Sequence, residues 1–107
     1  MRILTGVFLV ACAAVSSQAV GADTEALQGL MQKNNCTACH LIEKRKYGPK
    51  FKEVAQKYAG EPGAVETLVA KIKAGGAGVW GEDMMPPQPQ VSDADARAMA
   101  DLILSLK

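Results

Sequence analysis

Two thiols and an imidazole fall within five positions, Cys36-x-x-Cys39-His40, and His40 is the only histidine in the 107 residues. That spacing serves three kinds of chemistry: a disulfide, part of a metal site, or thioether attachment of a haem. A second group of soft donors lies downstream. Met84 and Met85 directly precede Pro86 and Pro87 in the stretch GVWGEDMMPPQPQVSD, residues 78–93.

The rest of the chain weighs these uses. A structural zinc site takes four ligands, usually Cys and His, and only Cys12 remains to join the trio. A thioredoxin-type switch needs strands alternating with helices, and no strand alternation is present. A plain disulfide uses both cysteines but leaves the adjacent histidine without a role. Haem attachment uses all three side chains. On a helical turn, positions three apart face the same way, so both sulfurs reach the two vinyl groups on one porphyrin edge. The next residue offers one ring nitrogen to iron while the other N–H takes an orienting acceptor. Function then depends on the second axial position, which when empty admits gases or peroxide and when filled leaves electron exchange. A methionine in a proline-stiffened loop is poorly explained as core filler, and proline holds it at lower entropic cost. Its soft sulfur favours ferrous iron and raises the reduction potential.

Residues 1–22 have the layout of a secretory signal: Arg2, an apolar run from Ile3 to Val15, then small residues ending at Val20-Gly21-Ala22. The run is shorter than the roughly 20 residues a membrane span needs. Cleavage after Ala22 makes residues 23–107 one domain of about 85 residues, and cleavage after Ala19 is a second option. Leu9-Val10-Ala11-Cys12 also resembles a lipoprotein box, in which Cys12 would be lipidated and retained. The full chain carries 12 basic and 11 acidic residues, and loss of residues 1–22 removes only Arg2. A balanced domain has no field that calls for nucleic acid. Lys44, Arg45, Lys46, Lys50, Lys52 and Lys57 nevertheless cluster after the histidine and could orient an acidic partner. A domain of about 85 residues buries little more than 60% of its surface. With two Phe, two Tyr and one Trp, it is short of core material that a large apolar prosthetic group would supply.

The elements that must hold these groups read as helices. Asp23 or Thr24 caps a first helix through about Asn34, with Leu27, Leu30 and Met31 on one face. Tyr47-Gly48-Pro49 is a loop, and Phe51 to Tyr58 a short helix. A third helix has Pro62 in its first turn and turns Val65, Leu68, Val69 and Ile72 inward until Gly75-Gly76 ends it. Residues 75–90 form a loop. Ser92 and Asp95 then mark a capped helix start, and that helix runs almost to Lys107, burying Met99, Leu102, Ile103 and Leu106.

On these residues the chain resembles the small bacterial class I cytochromes c of the c-551 type. The likeness rests on Cys36-x-x-Cys39-His40, Tyr47-Gly48-Pro49, Val79-Trp80-Gly81, Met85-Pro86-Pro87 and Leu104-Ser105-Leu106-Lys107, and it covers nearly all of residues 23–107. The resemblance implies an all-α cytochrome c fold, four to five short helices wrapped around one covalently bound haem c. It implies His40 as proximal and Met85 as distal iron ligand. Met85 directly precedes the proline pair and lies five residues after Trp80, as the family ligand does, with Met84 in reserve. Cys36 and Cys39 would carry the thioethers, the Pro49 carbonyl would orient His40, and Trp80 and Lys71 would hold a haem propionate. Gln88 stands where the family often has an asparagine near the ligand sulfur. Two departures are Leu102 in place of a last-helix tryptophan, and Glu82 and Asp83 at positions often apolar or proline, where carboxylates would lower the potential.

The function implied is a monomeric periplasmic electron carrier between respiratory donors and a terminal reductase or oxidase, with transient redox protein partners, no nucleic acid and no integral membrane segment after signal cleavage. It is not an enzyme on this reading. The alternatives are a haem enzyme or gas sensor with a displaceable distal Met, or a cytochrome subunit of a larger oxidoreductase.

Overall fold

A computed structural model of the chain describes residues 6, 9–13 and 19–107. The expected signal lies mostly outside those residues. Among these residues four α-helices follow in order, α1 Ala19–Lys33, α2 Phe51–Tyr58, α3 Ala64–Ala74 and α4 Asp93–Leu104, with a 3-10 turn at Cys36–Ala38. Among the described residues the only β-pairing is one isolated antiparallel bridge, Gly76 with Met85.

Helix α1 turns Leu27 and Met31 fully inward, with Leu30 packed beside them. It begins four residues before the expected Asp23 cap, because helix once formed propagates through residues that do not oppose it. At its other end the Asn34 side chain donates to the Leu30 carbonyl at 2.9 Å. Asn35 then takes the left-handed conformation, φ 64°, which asparagine enters more easily than most residues. That reversal starts the 3-10 turn carrying the cysteines.

Helix α2 has the expected bounds and buries Phe51, Val54, Ala55 and Tyr58. Helix α3 starts later than the proline suggested. Gly63 stands outside it with φ 73°, so Pro62 belongs to the preceding turn. Of its four expected inward residues Leu68 is buried, while Val65, Val69 and Ile72 are half-buried against the core. The Ser92 hydroxyl accepts the Asp95 amide at 3.1 Å and caps α4, with Asp93 and Asp95 suitably placed at the positive end of the helix dipole. Helix α4 stops at Leu104, where the Ser105 hydroxyl donates to the Leu102 carbonyl. Met99 and Ile103 are buried, and Leu102 and Leu106 only partly.

Helix α4 is the hub, packing against α1, α2 and α3. Ala96, Met99, Ala100 and Ile103 meet Leu27, Met31, Val54, Tyr58 and Leu68 in one apolar cluster. Each large side chain there contributes roughly 1.5–3 kcal/mol when fully buried. No described helix is long and apolar enough to cross a membrane.

Candidate functional site

The 3-10 turn presents Cys36, Cys39 and His40 to one cleft. Short backbone bonds hold it: the His40 amide donates to the Cys36 carbonyl at 2.9 Å, and the Gly48 amide to the Cys39 carbonyl at 2.8 Å. The carbonyls of Leu41 and Ile42 accept the Phe51 and Lys52 amides at the start of α2, at 3.0 and 3.2 Å. Those amides would otherwise lack partners in the first helical turn. The segment after His40 is therefore fixed to α2.

The imidazole itself is held on several sides. His40 Nδ1 lies 2.9 Å from the Pro49 carbonyl. A carbonyl oxygen only accepts, so Nδ1 carries the proton and, in the neutral ring, Nε2 keeps its lone pair. Phe51 stacks on the ring with centroids 4.9 Å apart. A side chain on Gly48 would collide with the imidazole, its Cβ falling 2.7 Å from Nδ1 and 2.9 Å from Nε2. Burial lowers the His40 pKa, and the Pro49 carbonyl opposes that shift. The ring is thus kept as a neutral base with one free nitrogen, the form a metal needs.

Cys36 and Cys39 form no disulfide. Cys36 Sγ sits 4.0 Å from the Met99 sulfur, and burial raises its pKa. Among the described residues no three His, Cys, Asp or Glu side chains form a metal-holding group.

The other part of the cleft is the loop between α3 and α4. Met85 pairs with Gly76, donating its amide at 2.8 Å and accepting the Gly76 amide at 3.0 Å. At Gly75, φ is 68°, and a Cβ there would strike the Met85 carbonyl and come within 2.8 Å of the Pro86 carbonyl carbon. Met85 is half-buried, whereas its neighbour Met84 is 60% exposed. Both line the cleft, as do Trp80, Lys71 and Gln88. The Gln88 side chain donates to the Pro86 carbonyl at 3.2 Å and accepts from Gln90 at 2.7 Å.

Sequence reasoning missed three features here: the Gly76–Met85 bridge, the stack of Phe51 on His40, and Lys57, whose ammonium lies 5.6 Å above the Trp80 ring. Only the Phe51 stack had a local signal, an aromatic two residues after the Tyr47-Gly48-Pro49 loop. The basic cluster also divides. Lys52 pairs with Glu43 at 2.8 Å, Lys46 donates to the Thr37 carbonyl at 3.1 Å, and Lys57 covers Trp80.

The cleft spans about 1270 Å³ of space including its open mouth, and its lining is mainly apolar. Its donors are two thiols, one imidazole and thioethers, a soft set suited to iron that brings its own equatorial nitrogens. Gly48 and Gly75 keep the backbone close to His40 and Met85 without intruding side chains. The residues present therefore fit a haem.

Comparison with known proteins agrees. The family model for cytochrome c matches residues 25–107. Cytochrome c-552 of Nitrosomonas europaea is 49% identical over 94 residues, covering 88% of this chain and 91% of that protein. Cytochrome c-551 of Pseudomonas aeruginosa is 44% identical over 89 residues, 83% of this chain and 85% of that one. The crystal structure of wild-type N. europaea cytochrome c552 superposes with a TM-score of 0.73 at 52% identity, over 75% of this chain and 99% of that one. The chain belongs to the cytochrome c family: an all-α electron-transfer protein with one covalently bound haem c.

Proposed function

We propose that the protein is a periplasmic electron carrier between respiratory donors and a terminal reductase or oxidase, and that it transforms no substrate. Haem iron supplies a one-electron ferric–ferrous couple. Cys36 and Cys39 bind it through thioethers, His40 Nε2 and Met85 Sδ are the axial ligands, and Pro49 orients the imidazole. Trp80 and Lys71 engage the propionates; the Lys71 ammonium has no ion pair among the described residues. The observation that carries this reading is that Cys36, Cys39, His40 and Met85 line one cleft, each on backbone fixed by short hydrogen bonds or a bridge. Exposure favours Met85 over Met84, since a ligand sulfur must leave solvent.

The cleft mouth is the contact surface for partners. Tyr47, Val79 and Met84 are the large apolar side chains exposed among residues 23–107, and all three line the cleft. Lys44, Arg45 and Lys50 make no ion pair among the described residues and stay available to steer an acidic partner. A small apolar patch with a charged rim suits a brief redox encounter of less than about 1,200 Å². The protein acts as a monomer, released by signal cleavage near Ala22.

Mass spectrometry of the exported protein tests the cofactor and the amino terminus together: the mature chain is expected to weigh one haem more than its polypeptide from Asp23. Carbon monoxide tests the distal ligand. Slow, weak binding to the reduced protein is expected, and rapid binding at neutral pH would instead mark a haem enzyme or gas sensor.

A further inference from the structure

Two limbs of chain connect Met85 to the helices. The near limb is paired with Gly76 through the bridge. The far limb, residues 86–93, returns to α4, and among the described residues its hydrogen bonds to α3 all come from Lys73. The Lys73 carbonyl accepts the Gln88 amide at 3.2 Å. Its ammonium donates to the Val91 carbonyl at 3.0 Å and to Asp93 Oδ1 at 2.6 Å. Val91 is only 1% exposed, and its amide closes a turn onto the Gln88 carbonyl at 3.2 Å.

We propose that Lys73 is a positioning residue for Met85, clamping the far limb of the loop so that outside ligands cannot readily displace the thioether. The inference rests on Met85 being the distal ligand. Pro86 and Pro87 stiffen the chain beside Met85, so the sulfur leaves iron chiefly by movement of the limbs at their anchors. An exposed ion pair such as Lys73–Asp93 is worth little alone. The same ammonium also makes a charge-assisted bond to the carbonyl of a buried residue, which is stronger than a neutral one. Losing the ammonium removes the ties at Val91 and Asp93 without breaking either helix, so the far limb loosens while the Gln88 amide keeps its bond to the Lys73 carbonyl.

Imidazole titration of the ferric holoprotein tests this. Lys73→Met keeps the stem and removes the charge, and is expected to bind imidazole about tenfold more tightly, a change of about 1.4 kcal/mol. Asp93→Asn keeps the bond to Val91 and is expected to give only about twofold. Lys33→Met, which breaks the 2.9 Å ion pair with Asp95 away from the loop, should lower the urea midpoint and leave imidazole affinity unchanged. Equal affinity for Lys73→Met and its parent would overturn the clamp, as would equal tightening by Lys33→Met. A parent protein without the weak red absorption band of thioether-ligated ferric haem would overturn the Met85 assignment, and the clamp with it.

Discussion

His40 and Met85 reach one cleft but are held in different ways. On the His40 side the functional ring is itself constrained: bonded to Pro49, stacked on Phe51 and crowded by Gly48. On the Met85 side the backbone is constrained, through the Gly76 bridge, the close approach of Gly75 and the far limb at Lys73. The thioether makes no hydrogen bond among the described residues. A ring fixed on several sides stays in place when one support weakens. A side chain placed only by its backbone moves when that backbone does. On the proposed ligation, damage on the first side should therefore cost the haem, and damage on the second should cost only the distal ligand.

The largest effect is expected from Gly48→Ala. Its Cβ would overlap the imidazole, and the ring has Phe51 and Pro49 against it, so it cannot retreat. Little haem-loaded product should accumulate, measured as the ratio of haem to protein absorbance after export. A fully loaded Gly48→Ala protein would show that the ring is less confined than its contacts indicate.

Gly75→Ala comes next. A side chain at φ 68° meets the Met85 carbonyl and the Pro86–Pro87 peptide, and the backbone strain alone costs on the order of 1–3 kcal/mol. The haem should remain attached through the opposite side while Met85 is displaced. The reduced variant should bind carbon monoxide rapidly, and the ferric form should lose its red absorption band. Loss of haem altogether would mean that the two sides are not separable.

The same difference governs what could be read from the amino acids alone. The His40 side is local: the cysteines, histidine, Gly48, Pro49 and Phe51 lie within 16 positions, so spacing pointed to the attachment turn, while the Pro49 role came from the resemblance and the Phe51 stack went unread. Helix α2 was legible from its apolar face and α4 from its serine cap, because those signals sit inside the element. The Gly76–Met85 pairing joins two loop residues without alternating polarity, which leaves no period to detect. Lys73 looked like any lysine near a helix end, since its partners lie 18 and 20 residues away. Met85 was named from the resemblance and its prolines, not from what holds it. The start of α1 was misplaced because an aspartate suited to capping lies inside a longer helix.

The smallest effect concerns the tie between α1 and α4, which stabilises the attachment turn without touching the Met loop. Asp95 accepts Lys33 at 2.9 Å and the Asn34 side chain at 3.2 Å. Lys33 first, and then Asn34, lowers its pKa below the ordinary carboxylate value. A depressed folded-state pKa means that the stabilisation is present above the unfolded value, about 3.9, and is lost as pH falls through the folded one. Asp95→Asn should therefore lower the urea midpoint modestly at neutral pH, and the difference from the parent should shrink in acid as the parent loses its own charge. Imidazole affinity should stay constant, because the tie anchors the turn before His40 and not residues 86–93. A midpoint difference that grew in acid would contradict the lowered Asp95 value. A parallel gain in imidazole affinity would show that the two sides of the cleft are mechanically coupled through α4.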